Sequence, residues 1–133
     1  MEGSIRDFAY YRLETAKEDL QRAKRALDVE DYKLILNRSY YSIFHALRAV
    51  NALEQFDSSK HKGVISHFNK EHVKNGDFPS EVSKMISIAM DCRQKADYED
   101  FYVISKSTAL EQLHNAEHIV GLVETFLNTK FSD

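Results

Sequence analysis

Apolar residues recur along this chain at three- and four-residue steps, the period of helices that turn one face to a core. Leu13, Ala16, Leu20, Ala23 and Leu27 form the first such stripe, and predict a helix from about residue 5 to 27. Its other side carries Lys17, Glu18, Arg22, Lys24 and Arg25, which read as a solvated face. Asp28-Val29-Glu30-Asp31 is a short turn, with acidic residues where a helix N-terminus favours them. A second helix is expected over 31–55, free of Gly and Pro. Phe56-Asp57-Ser58-Ser59 breaks the pattern, and Ser58 or Ser59 is placed to cap a third helix over 60–74. Asn75-Gly76 stops it, and Pro79 suits the first turn of a fourth helix reaching 95–97, with Val82, Met85, Ile86, Ala89 and Cys92 on one side. Tyr98, Phe101 and Tyr102 fall in a segment that either packs as a loop or opens the last helix early. From about Ser105 the spacing of Ala109, Leu113, Ala116, Val120, Val123 and Leu127 is nearly heptad, although Thr108 and Glu111 offer a capping box three residues later. The expected architecture is one all-α, up-and-down bundle of four to five helices spanning 1–133.

Composition narrows the function classes. With 133 residues, 43% hydrophobic and 29% charged, the chain suits one soluble globular domain, and Gly 4 with Pro 1 disfavours a turn-rich β fold. A net charge of -3 means that any RNA contact has to come from a local basic site. A lone cysteine, Cys92, forbids an intrachain disulfide and reads as a core residue. The N-terminus lacks an apolar signal core and no stretch approaches about 18 apolar residues, so a cytoplasmic protein with no membrane association is expected. Scattered glycines give no phosphate loop. His114-Asn115-Ala116-Glu117-His118 matches the H-x-x-E-H zinc-peptidase string, but Ala116 lies on the core stripe and no third ligand is evident. His67 and His72 have no informative spacing, so no metal and no cofactor are expected.

The densest aromatic stretch lies inside the second helix, Asn37-Arg38-Ser39-Tyr40-Tyr41-Ser42-Ile43-Phe44-His45-Ala46-Leu47. At about 100° per residue it separates into two faces. Tyr32, Leu36, Tyr40, Ile43, Leu47 and Val50 form a bulky apolar face. Leu34, Arg38, Tyr41, Ser42, His45, Ala49 and Ala52 form the other, where small residues surround an Arg, a Tyr and a His. That mixture suggests a covered face with a polar site inside the contact. Arg38 and His45 are about two turns apart and project from nearly the same side.

This stretch resembles the signature helix of HEPN domains, small helical domains in which an Arg and a His are separated by four to six residues; here six intervene. Two further blocks resemble a bacterial and archaeal branch of that family: Lys60-His61-Lys62-Gly63-Val64-Ile65 followed by Phe68, and Arg93-Gln94-Lys95-Ala96-Asp97-Tyr98. The resemblance implies a helical bundle and, in catalytic members, metal-independent RNA cleavage at a composite site between two copies of the motif helix. It implies Arg38 and His45 as the catalytic pair, with Tyr41, Ser42 and Arg48 toward the substrate and Ser42, Ala49 and Ala52 small enough for a second copy to approach. Arg93, Asp97, Tyr98 and His61 are assigned structural or cleft-shaping roles, with Arg93 and Asp97 paired at i, i+4. The chemistry is coherent: imidazole titrates near neutrality and can move the 2′-hydroxyl proton, while guanidinium holds the phosphate. The sequence departs from the family pattern in having Ser39 directly after the Arg and Leu47 where one toxin–antitoxin group carries a modifiable Tyr. The implied partners are a second copy, an RNA or nucleotide, and a nucleotidyltransferase antitoxin. The alternatives kept open are a non-catalytic nucleotide-binding or nucleotidyltransferase-accessory module, and a structural reading with Arg38 paired to an acid such as Asp97.

Overall fold

α1 (Glu2–Asp28) and α2 (Tyr32–Asn51) form the most extensive helix pair of the chain. The computed structural model describes residues 2–132, with side chains from residue 4 onward. α2 also packs against α3 (His61–Phe68), α4 (Glu81–Tyr98) and α5 (Lys106–Lys130), so it is the central helix of an all-α bundle. Among the described residues there are five α-helices and no strand.

The apolar stripes explain this arrangement. Leu13, Ala16, Leu20 and Ala23 of α1 are buried, as are Leu36, Tyr40, Ile43, Leu47 and Val50 of α2 and all six near-heptad residues of α5. Small side chains bring α1 and α2 close: Ala9, Ala16 and Ala23 on one helix, Ala46 and Ala49 on the other, are all fully buried. Lys17 and Lys24 of α1 pair with Glu124 and Glu117 of α5, so part of the basic face of α1 is used within the chain.

Several boundaries differ from the expectation. α2 opens at Tyr32 because the Asp31 carboxylate accepts from the Leu34 amide at 3.1 Å, and it ends in a 3₁₀ turn over Ala52–Glu54. Neither Ser58 nor Ser59 caps α3. Lys60 holds that position, and the Ser58 hydroxyl accepts from the Lys60 amide just outside the helix. The third helix does not run regularly to residue 74 either; it passes into a π-helical turn over Asn69–Val73, closed by Lys74 N–H donating to Asn69 O at 2.9 Å. Pro79 lies just before α4 rather than in it. Ser105 caps α5 by accepting from the Thr108 amide, so the Thr108/Glu111 box is not the start. Between α4 and α5 a loop leaves Phe101 and Val103 almost wholly exposed. No described helix is long and apolar enough to cross a membrane.

Candidate functional site

The motif helix meets α1 at a buried carboxylate. Asp19 is 2% exposed, and its Oδ1 accepts from Arg38 Nη1 and from Arg22 Nη1, both at 2.9 Å. Its Oδ2 lies 3.8 Å from His45 Nε2, beyond direct hydrogen-bond reach but close enough to favour a charged ring. Arg38 and His45 therefore converge on one acid, while both remain partly open, with side chains 28% and 21% exposed. Arg38 is fixed further by donating from Nε to Asn37 Oδ1 at 2.8 Å and by lying over the Tyr41 ring at 5.1 Å. Its acid is thus Asp19, not Asp97.

Arg48, one turn beyond His45, donates from Nη1 to His45 Nδ1 at 3.3 Å. A guanidinium cannot accept, so Nδ1 carries the lone pair and the neutral ring bears its proton on Nε2, toward Asp19. Burial lowers the His45 pKa, opposed by Asp19 and reinforced by Arg48, Arg38 and His61. The net direction favours the neutral ring over the imidazolium. Arg48 is held by Asp57 through two contacts, at 3.1 and 2.8 Å, and Arg12 of α1 reaches the same carboxylate at 3.4 Å.

Beside this row of cations stands an aromatic cluster. His61, the first residue of α3, packs against Phe44 at 4.3 Å between ring centroids and shares a hydrogen bond through Nδ1 with the Tyr40 hydroxyl at 2.8 Å. Burial pushes the Tyr40 hydroxyl up to about 12, so it stays protonated, and burial together with Arg93 lowers His61. Arg93 is 11% exposed, pairs with Asp97 at 3.3 Å and lies over the rings of Tyr40 and Tyr41 at 4.8 and 5.6 Å. Tyr98, by contrast, is 77% exposed at the end of α4. Gly63 lets the preceding loop close: a Cβ there would meet Ser58 Oγ at 2.7 Å.

Two shallow depressions open onto the motif helix. One, of about 480 Å³, is lined by Phe44, Arg48, Asp57, Ser58, Ser59 and His61. The other, of about 290 Å³, brings Arg22, Arg25 and Arg38 together around Ala26, Val29 and Leu34.

Some sequence expectations are redirected. Ser42 is fully buried and donates to the Ala16 carbonyl at 2.7 Å; it ties α2 to α1 instead of facing a substrate. Ala49 is fully buried and Ala52 nearly so, which means α1 and the chain's own core already cover the small-residue part of the face. Leu47 is fully buried too. Cys92 is half-buried. In the H-x-x-E-H string, Glu117 pairs with Lys24 while His114 and His118 are exposed. His67 and His72, uninformative by spacing, come together with Glu54 through the π-helical turn. Sequence reasoning missed Asp19 and Asp57. Asp19 had a signal: it stands three residues after Ala16 and four before Ala23, a carboxylate on the core side of α1 that needs a cationic partner.

The HEPN domain family model matches residues 9–126. The chain is similar to two proteins of Methanocaldococcus jannaschii, each named "Putative toxin". One is 29% identical over 89% of this chain and 80% of its own length; the other is 32% identical over 93% and 87%. It is similar also to a "UPF0332 protein" of Thermotoga maritima, 29% identical over 84% of this chain and 85% of that protein.

Proposed function

We propose that this chain, which belongs to the HEPN domain family, is a toxin that cleaves RNA without a metal ion through Arg38 and His45. The observation that carries this reading is the convergence of those two side chains on Asp19, with both still reachable from outside. Arg38 binds the scissile phosphate and stabilises its transition state. His45, held neutral by burial, takes the 2′-hydroxyl proton at Nδ1. The 2′-oxygen then bonds to phosphorus, the 5′-oxygen leaves with a proton from an acid, and a 2′,3′-cyclic phosphate remains.

Arg48 links binding to chemistry. It covers His45 Nδ1 in the free chain, and a substrate phosphate competes for it, freeing the lone pair as the anion arrives. Arg22 and Arg25, beside Arg38 in one depression, extend a cationic track for neighbouring phosphates. Tyr41, under Arg38, helps orient that guanidinium toward the substrate. One chain supplies a single His45, so a homodimer with paired motif helices brings a second, and that copy's imidazole, in its protonated form beside its own Asp19, gives the proton to the leaving 5′-oxygen. The names of the two archaeal relatives favour a toxin, and so an antitoxin partner; the family resemblance makes a nucleotidyltransferase our candidate for that role.

The deciding experiment is cleavage of a mixed RNA pool in EDTA by wild type, His45→Ala and Arg38→Ala. Cleavage that persists in EDTA, leaves cyclic phosphate ends and vanishes in both variants supports the nuclease. Equal background in all three, with each protein folded, overturns it. One observation favours a second reading: Arg38 is already neutralised by Asp19 within its own chain. That suits a non-catalytic module binding a nucleotide or serving a nucleotidyltransferase, and a nucleotide-induced rise in melting temperature without cleavage identifies it.

A further inference from the structure

Away from the Arg38/His45 pair, three side chains from three successive elements converge. Glu54 closes the 3₁₀ turn after α2, His67 lies in the last turn of α3, and His72 lies in the π-helical turn. Glu54 Oε1 is 2.9 Å from His67 Nε2 and 2.7 Å from His72 Nε2, and all three ligand atoms lie within 4.8 Å of one another. On an ordinary α-helix, residues five apart diverge by about 140°. The π-helical turn inserts the extra residue that swings His72 back beside His67, and turns of this kind occur often at functional sites.

The surroundings fix both rings as a metal site would require. His67 stacks face to face on Phe56, with centroids 4.0 Å apart and planes 4° apart. The side chain of His72 is only 5% exposed, and its other nitrogen, Nδ1, faces Asp77 Oδ2 at 3.0 Å. A carboxylate behind a ligating imidazole sets the ring's tautomer and orientation and raises its basicity. Glu54 is a third exposed, which gives an ion its route in.

From this geometry we infer that Glu54, His67 and His72 bind one divalent transition-metal ion, zinc by preference, with water as the fourth ligand. Two imidazoles and a carboxylate suit zinc, whose bonds of about 2.0–2.1 Å in a tetrahedron separate ligand atoms by about 3.3 Å. The carboxylate and the imidazole nitrogens have to open by about half an ångström to admit the ion. With the ion in place, His72 keeps its Nδ1 proton, held by Asp77. The two carboxylates then balance the ion's two charges. The site pins the connection between α2 and α3, whose Asp57 holds Arg48. It takes no part in the proposed RNA chemistry, so it stands or falls separately.

The test titrates EDTA-stripped, dialysed protein with cobalt(II) chloride and then with zinc chloride. We expect one equivalent of cobalt to give the intense visible bands of a four-coordinate ion, zinc to displace it, and zinc to raise the melting temperature. Glu54→Gln and His67→Gln abolish the bands while circular dichroism stays helical, and Asp77→Asn weakens binding by about 10–100-fold. His114→Gln/His118→Gln leaves binding unchanged. Weak octahedral bands alone, binding unaltered in the Glu54 and His67 variants, or binding lost with His114 and His118 each overturn the assignment.

Discussion

Arg38 and Asp19 meet across the seam between α2 and α1, with guanidinium nitrogen and carboxylate oxygen 2.9 Å apart and the acid almost wholly buried. The pair sets the direction of Arg38 and places an anion beside His45. Replacing Asp19 with Asn keeps the volume but removes the charge that answers two guanidinium groups. The guanidinium groups left behind are partly open to water, so the loss is that of charge-assisted hydrogen bonds, about 1.5–3 kcal/mol at most, and D19N is expected to lower the urea midpoint. It also lowers the His45 pKa further, because Asp19 is the one neighbour that raises it. An unchanged midpoint together with an unchanged His45 titration in NMR would refute the role given to Asp19.

Stability is expected to fall with acidification through the histidine range. Burial holds both His45 and His61 below their ordinary value. As pH drops through about 6.5, the unfolded chain takes up protons at these positions while the folded chain resists, so unfolding becomes easier. The loss stops growing once the folded pKa values are passed. Denaturation curves at about pH 7.5 and 5.5 measure it, and His45→Gln is expected to shrink the difference. A chain more stable at the lower pH, or a difference untouched by H45Q, contradicts this account.

Arg48→Ala separates the electrostatic role of Arg48 from its place in the fold. Its guanidinium lowers the His45 pKa, so removal is expected to raise it. Removal also frees Asp57 from two contacts, leaving Arg12 as its cation and the Ser58 backbone as its hydrogen-bond donor. The Asp57 carboxyl, now held below its ordinary value chiefly by its hydrogen bond to Arg48, is expected to rise. NMR titration of the two groups checks both movements. A fall of either value counts against the arrangement.

Gly63 tests the loop that carries Asp57 and Ser58. A Cβ at this position would sit 2.7 Å from Ser58 Oγ and 3.1 Å from its Cβ. Gly63→Ala therefore crowds the junction and displaces the Ser58 hydroxyl from the Lys60 amide, a cost of about 1 kcal/mol that offsets the helix-propensity gain of Ala. With Ser58→Gly in the same chain the two effects should not add, since the two positions share one contact. Additive effects in the double-mutant cycle would show that the clash lies elsewhere.

The helices were legible because burial follows the period of the stripes. Every near-heptad residue of α5 is buried, and α2 carries its bulky face inward as its spacing indicates. What covers the second face of α2 was not legible. Small residues permit close approach, but their pattern does not say whether the approaching backbone belongs to another copy or to α1. The Ser42–Ala16 hydrogen bond answers that for part of the face. The Glu54–His67–His72 cluster was hidden for a related reason: its ligand spacing makes sense only after the helix adds a residue to one turn. Asp19 and Asp57 escaped because an acid's partner is chosen by tertiary packing, and the cations that join them to the site, Arg38 and Arg48, lie on α2.

The proposed homodimer has to use the part of the motif face that remains outside the chain's own core. Ala49→Arg is a poor probe of it, because Ala49 is fully buried and a charge there unfolds the bundle. Leu34 is the better position. It lies on the same face, 40% exposed, and lines the depression shared by Arg22, Arg25 and Arg38. Leu34→Glu should change folding stability by no more than about 0.5 kcal/mol, as for other exposed positions. In a two-fold contact it removes the apolar Leu34 side chain from both copies and sets two like charges in one seam, so the dimer is expected to dissociate. Light scattering after size exclusion reads the mass, and circular dichroism confirms the fold. A folded L34E chain that keeps the wild-type dimer mass would remove this face from the interface and, with it, the composite site.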